Sequence, residues 1–247
     1  MISIIIPTYN EEAVIGDTLS RLKSLTLPHE TIVTDDGSED QTIQISKKYA
    51  DKVLEAGVRR TTFSVNRIRG AAAAQGDFLV FMDSTTVVLD DLNDFFTRAL
   101  SHFENDPKLM ALTGALWVQP ELETTMDRIV YIVFNWVHRF KNNVLHIGES
   151  SGKFQMMRRD AFEAVGGFNE SLVAREDADM FNKLAKSGRT LCDPKLVIYH
   201  SGRRAHAIGW PRLLYTWVIE TLWVSLFGKA LSTNWDRYWE KKSKPSA

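Results

Sequence analysis

Ile2, Ile4, Ile5 and Ile6 form a nearly continuous apolar run that stops at Pro7, the pattern of a short strand buried on both faces. Beyond Pro7 the period changes. Ile15, Leu19 and Leu22 recur at helical spacing behind Asn10, a residue type that caps helices, and behind Glu11 and Glu12, whose charge suits the positive end of a helix dipole. A second strand is predicted over Thr31 to Thr34. It breaks into Asp35-Asp36-Gly37-Ser38, and Ser38 with Gln41 has the spacing of a capping box for a helix to about Tyr49. A weaker strand at Val53-Leu54 and a helix from Ile68 to Gln75 lead to Phe78 to Met82, the clearest buried strand of the chain, which ends on Asp83. Strands alternating with helices predict an α/β fold with a parallel sheet and right-handed crossovers, whose ligands bind at the carboxyl ends of the strands. Tyr9, Asp35, Asp36 and Asp83 all fall at such ends.

The second half reads as a helix over Leu92 to Phe103, a strand over Leu109 to Val118, and a helix from Asp127 to Phe140 with apolar residues on nearly every side. Ile129, Ile132, Val133, Trp136, Val137 and Phe140 make one stripe, but Val130, Tyr131 and Phe134 lie off it, so a single core face cannot hide them all. Gly148 to Gly152 reads as a loop, either a plain polar one or part of a site wall. A strand follows at Phe154 to Met157, a short helix at Asp160 to Val165 closed by Gly166-Gly167, a helix at Asp177 to Lys186 ended by Gly188, and a last strand at Lys195 to Tyr199. Leu213 to Phe227 is apolar except for Thr216, Glu220, Thr221 and Ser225. That is shorter than the ~20 apolar residues a membrane span needs.

Composition narrows the function classes. The 247 residues carry 30 basic and 31 acidic side chains, a formal net charge of −1, which excludes a protein that coats nucleic acid with its whole surface. Cys192, the only cysteine, cannot form an internal disulfide, and Met1 leads straight into a strand without a secretory leader, so the setting expected is reducing and cytoplasmic. From His200 onward eight Lys or Arg residues oppose three Asp or Glu, so the tail is basic. The aromatic run, the over-apolar helix and the basic residues Arg237, Lys241, Lys242 and Lys244 admit two readings. Either an interfacial helix lies peripherally on an anionic membrane, at its cytoplasmic face, or the two helices pack on each other or across a homodimer. No Ser-His-Asp triad, zinc cluster or P-loop is legible.

Four stretches carry a resemblance. Ser3 to Glu12 (SIIIPTYNEE), Val33 to Ser38 (VTDDGS), Arg67 to Asp77 leading into Phe81-Met82-Asp83, and Gly166 to Glu170 (GGFNE) followed by Arg175-Glu176-Asp177 together resemble glycosyltransferase family 2. The resemblance covers most of the first 205 residues. It implies a GT-A-like, Rossmann-like, mostly parallel central sheet flanked by helices over residues 1–205. The nucleotide-binding half is expected at about 1–90 and the acceptor half at about 91–205, with a C-terminal amphipathic helical extension over 206–247. The activity implied is inverting transfer of a sugar from a nucleotide diphosphate sugar to an acceptor, a lipid-linked one among the candidates. Alternatives are a sugar-phosphate nucleotidylyltransferase, which typically has a Gly-rich basic loop after its first strand where this chain reads PTYNEE, and a non-catalytic nucleotide-sugar binding module.

Several residues inherit roles from the resemblance beside plainer readings. Asp35 and Asp36 either form the turn before Gly37-Ser38 or accept hydrogen bonds from a base or ribose. Tyr9, behind Pro7, is either an edge aromatic or a platform for the nucleobase, and Glu11 either a helix-start acid or a ribose contact. Arg67 and Arg69 read by default as solvated helix charges. The resemblance brings Arg67 to the donor phosphates. The family usually ends this strand with Asp-x-Asp, a pair that ligates Mg²⁺ or Mn²⁺ on the diphosphate, but here the second acid is Thr85. His200 is the expected supplementary ligand to Asp83, and Arg203 and Arg204 are the alternative as fixed cations on the diphosphate. Glu176 and Asp177 are either dipole partners at a helix start or, by the resemblance, the catalytic pair, Asp177 as general base and Glu176 orienting the acceptor.

Overall fold

Residues 1–56, 62–172 and 174–227 are described by a computed structural model. The buried runs become strands of one sheet: β1 (Ile2–Thr8), β2 (His29–Asp35), β3 (Lys52–Glu55), β4 (Phe78–Met82), β5 (Leu109–Val118), β6 (Phe154–Arg158) and β7 (Arg189–His200). The helices between and after them are α1 (Glu12–Leu22), α2 (Thr42–Tyr49), α3 (Phe63–Ala73), α4 (Leu92–Asn105), α5 (Thr125–Asn143), α6 (Arg159–Ala164), α7 (Glu176–Ser187), α8 (Arg203–Ile208) and α9 (Trp210–Phe227). Strand order is β3-β2-β1-β4-β6-β5-β7. The sheet is mostly parallel, as expected, but β6 runs against both of its neighbours. Alternation along β1 divides the core: Ile4 and Ile6 face a cluster with α1, α4 and α5, while Ile5 faces a second cluster with α6 and α7.

Three helix starts, those of α1, α2 and α3, differ from the sequence pattern. Asn10 does not cap α1. It lies in the left-handed region (φ 51°), its side-chain oxygen accepts from the Glu39 N–H at 2.9 Å, and its own N–H donates to Ser38 Oγ at 2.8 Å. Ser38 is thus held between the two loops, and α2 starts at Thr42, whose N–H donates to Asp40 Oδ1. The loops after β1 and β2 bind each other, which no local pattern encodes. Helix α3 begins five residues before the predicted Ile68, capped by the Thr62 hydroxyl, because its buried face consists of Ser64, Asn66, Arg67, Gly70 and Ala71 and shows no apolar period.

Helix α5 is turned against its own composition. Its buried side chains are Asp127, Tyr131, His138 and Asn142, whereas Ile129, Ile132, Val133, Trp136 and Phe140 are exposed. The inward face is held by polar chemistry. Asp127 is fully buried and accepts from the Thr124 N–H and hydroxyl, from His206 Nε2 at 2.8 Å and from the Trp210 indole N–H at 2.8 Å. Burial alone would raise the pKa of this carboxyl, but the bonds from Thr124, His206 and Trp210 outweigh it and hold it below the usual carboxylate range. Tyr131 meets Trp210 edge to face, and Phe134 lies beside Trp217, so α8 and α9 are fastened to α5. Replacing Asp127 by Ala strands several buried donors and is expected to cost roughly 3 kcal/mol. Urea unfolding would measure it, and faster amide exchange confined to α8 and α9 would show which elements it releases.

Candidate active site

The carboxyl ends of β1, β2, β4, β5 and β7 line one edge of the sheet, and the reversed strand β6 brings its amino-terminal end to that same edge. Met82 pairs with Phe154, so the next residue of one strand, Asp83, meets the preceding residue of the other, Lys153. Lys153 Nζ donates to Asp83 Oδ2 at 2.8 Å and lies 3.3 Å from Thr85 Oγ1. The second carboxylate oxygen is closed by the turn, accepting from the Thr85 N–H at 2.9 Å and the Thr85 hydroxyl at 2.7 Å. Burial alone would raise the Asp83 pKa. The Lys153 ammonium and the Thr85 bonds overcome it and hold the carboxyl far below its ordinary range.

The expected metal ligands do not form a ligand set. His200 Nδ1 accepts the Gly202 N–H at 3.0 Å, so the proton of the neutral ring sits on Nε2, which is buried without a hydrogen-bond partner. Burial, reinforced by the Lys153 charge, pushes this histidine down to about 3, so the ring is neutral at physiological pH. A metal at Nε2 would need the lone pair that this tautomer lacks. Among the described residues no three His, Cys, Asp or Glu side chains converge on a site for an ion. With Asp83 closed by Lys153 and Thr85, and Thr85 itself neutral, the side chains present do not fit a divalent ion held by protein ligands.

A second cluster lies at the start of α7. Arg67 is 5% exposed, pairs with Glu176 Oε1 at 2.8 Å and lies over the Phe168 ring. The resemblance brings Arg67 to the phosphates; here its charge is turned to Glu176 instead. Gly152 fits between: a Cβ there would lie 2.4 Å from Arg67 Nη2 and 3.6 Å from Asp177 Oδ2. Asp177 Oδ1 accepts from the Ala178 N–H at 2.8 Å, and Oδ2 has no hydrogen-bond partner among the described residues. Burial first, then the Glu176 charge, raise the Asp177 carboxyl to about 7 against the pull of Arg67. The loop from Gly148 to Gly152, left open by the sequence, packs here: the Ser150 hydroxyl and the Gln155 amide both donate to the Asp177 carbonyl. Arg175, in the left-handed region at φ 61°, donates to Thr221 Oγ1 of α9 at 2.7 Å, tying this turn to the apolar helix.

In the nucleotide half, Asp35 follows the plainer reading. It is fully buried and accepts from the Thr8 hydroxyl, the Gly37 and Ser38 N–H groups and the Ser38 hydroxyl, so both its oxygens hold the turn. Asp36 follows it at the edge, its N–H bound to the Thr8 carbonyl. Pro7 is buried in β1 opposite Thr34, and Tyr9 is half-buried just past the strand end. Arg203 grips Glu11 with both guanidinium arms, one of them at 2.9 Å, so two residues expected separately on the donor are joined to each other. Arg204 lies near Tyr131. Lys153 is not among the sequence candidates. Its only signal is its place directly before a strand, which gains meaning once that strand is known to run antiparallel to β4.

The glycosyl transferase family 2 model matches residues 3–166. Poly-beta-1,6-N-acetyl-D-glucosamine synthase of Staphylococcus epidermidis is 26% identical over 186 residues, 72% of this chain and 44% of that protein. Dolichyl-phosphate beta-glucosyltransferase of Mus musculus is 37% identical over 148 residues, 54% of this chain and 46% of that protein. This chain therefore spans less than half the length of either relative. Among solved structures, a mannosyltransferase from Pyrobaculum calidifontis in complex with GDP-Man and Mn²⁺ superposes with a TM-score of 0.66 at 19% identity, over 81% of this chain and 56% of that one.

Proposed function

The chain belongs to glycosyl transferase family 2, and from that premise we propose that it moves a sugar from a nucleotide diphosphate sugar to a lipid-linked acceptor with inversion at the anomeric carbon. Residues 1–205 are the catalytic domain in this reading. The donor lies across the carboxyl ends of β1, β2 and β4, against Pro7, Tyr9 and Asp36, with Glu11, Arg203 and Arg204 at its margin. The open Asp177 carboxylate oxygen carries the chemical part of the proposal. A carboxyl raised to about 7 is matched to accept a proton near neutrality, and Asp177 takes it from the acceptor hydroxyl as that oxygen attacks the anomeric carbon. One base acting in line, opposite the leaving diphosphate, gives inversion. Glu176 is bound to Arg67 and positions the start of α7 rather than receiving the proton. That the mouse relative is named for a dolichyl-phosphate acceptor and the P. calidifontis structure holds GDP-Man supports both substrate classes.

The acceptor class rests on a separate observation. The outward face of α5 and the exposed Tyr215, Val218, Leu222, Trp223, Leu226 and Phe227 of α9 form apolar surface on two neighbouring helices. Thr221 of α9 is bonded to Arg175, two residues from Asp177. No described helix is long and apolar enough to cross a membrane; the exposed apolar side chains of α5 and α9 fit a peripheral site where they enter the headgroup boundary of the cytoplasmic leaflet. The basic residues Arg237, Lys241, Lys242 and Lys244 fall outside the described residues. The test is incubation of the full chain with UDP-, GDP- and dTDP-sugars and vesicles containing a polyprenyl diphosphate sugar, whose hydroxyls are the acceptor groups that Asp177 can deprotonate. A glycolipid of inverted anomeric configuration together with the free nucleoside diphosphate is the expected result. Pyrophosphate release would instead identify a nucleotidylyltransferase, and donor binding without turnover on any acceptor would identify a binding module.

A further inference from the structure

We propose that Lys153 is the cation that meets the donor diphosphate, in the place where a divalent ion would otherwise bridge Asp83 and the phosphates; this rests on the nucleotide-sugar reading above. The backbone fixes its position. The Lys153 carbonyl accepts from the Thr86 hydroxyl at 2.8 Å, so the side chain springs from a held point directly opposite Asp83. An ammonium has three donors, and two of them face Asp83 and Thr85, which leaves one for a ligand oxygen on a side chain that is 27% exposed. Asp83 then has a new part: it keeps the charge of Lys153 in place instead of ligating an ion. Two other cations of this edge are turned to carboxylates, Arg67 buried on Glu176 and both arms of Arg203 on Glu11. In the transfer step the bond from the anomeric carbon to the β-phosphate oxygen breaks, its electron pair stays on that oxygen, and the acceptor oxygen forms the new bond as it yields its proton to Asp177. Lys153 donates a hydrogen bond to the departing oxygen and remains an ammonium throughout, so no further reactant is needed.

Calorimetry on the full chain tests this without requiring turnover. In excess EDTA the wild type is expected to bind at least one of UDP, GDP and dTDP, and added Mn²⁺ should leave that affinity unchanged. Lys153→Met should weaken the nucleoside diphosphate by roughly tenfold to a hundredfold, the range of a lost hydrogen bond to a charged group. The matching nucleoside monophosphate, which has no β-phosphate, should keep its affinity, a contrast that a merely structural role would not produce. Lys153→Arg, which preserves the charge and the partner for Asp83, should recover part of the loss and guards against a folding defect in the methionine variant. Binding that EDTA abolishes and Mn²⁺ restores would overturn the proposal in favour of a metal. Equal losses of mono- and diphosphate in Lys153→Met, or no loss at all, would overturn it too. Absence of nucleotide binding both in EDTA and in Mn²⁺ would remove the nucleotide-sugar reading and the proposal with it.

Discussion

Asp177→Asn is expected to lower sugar transfer by about 10²–10⁴-fold, the usual contribution of a general base, while nucleotide diphosphate binding stays unchanged. The substitution keeps the oxygen that accepts from the Ala178 N–H and removes only the ability to take a proton. Wild-type turnover should rise with pH and level off above about 7, because only the ionised Asp177 accepts the acceptor's proton. The same shift fixes a stability signature. Since burial and Glu176 raise this carboxyl in the folded chain, the native state binds its proton more readily than the unfolded state does. Its contribution is therefore fully present below the unfolded carboxylate pKa and declines as pH rises to about 7. The amide of the Asp177→Asn variant cannot ionise, so the variant should melt at a higher temperature than wild type near pH ~8, by a margin that narrows towards pH ~4. Loss of activity together with loss of stability at the higher pH would mark a misfolded variant, and unchanged turnover would remove Asp177 from the reaction.

Legibility in this sequence follows the polarity of the buried face. Strands β4 and β5 match their predicted limits because their buried runs are mainly apolar, broken in β5 only by Thr113 and Gly114. Strand β7 is legible only from Lys195, because Asp193-Pro194 resembles a stop. In the fold the register shifts there, and Asp193 is held by Arg98 at 2.6 Å and His102 at 2.7 Å. Helices α3 and α5 bury Asn66, Arg67, Asp127, His138 and Asn142, so their hydrophobic periods describe the wrong face or none. The site divides in the same way. Asp36, Asp83, Glu176 and Asp177 stand at element ends, where pattern and motif both find them, but what each one touches depends on partners far along the chain. Glu11 meets Arg203 across 192 residues, Arg67 meets Glu176 across 109, and Asp83 meets Lys153 across 70. None of those pairings is written in local spacing. They arise from strand order and from the reversal of β6.

Substituting Ile132, Trp136 and Leu222 together by Ser is expected to weaken binding of the full chain to anionic vesicles by roughly 10²–10³-fold, taking on the order of 1–1.5 kcal/mol for each partly inserted side chain. These three are 54%, 62% and 55% exposed, so the folded chain does not depend on them for its core, and the melting temperature should hold. Truncation after His206 would be the wrong experiment. It removes Trp210 and Leu213, both buried, and deprives Asp127 of its indole donor, so lost sedimentation could reflect lost packing. Raising the salt should act in the same direction as the triple substitution but less completely, because it screens the attraction of the basic tail and leaves apolar insertion intact. The transfer assay then separates surface from chemistry. The triple variant should lose activity on a vesicle-borne polyprenyl diphosphate sugar but keep it on a short-chain, water-soluble analogue of that acceptor, since Asp177 and Lys153 are untouched. Full-length protein that ignores vesicles and instead dimerises with rising concentration, with the triple variant monomeric, would assign the apolar face of α5 and α9 to a second copy of the chain.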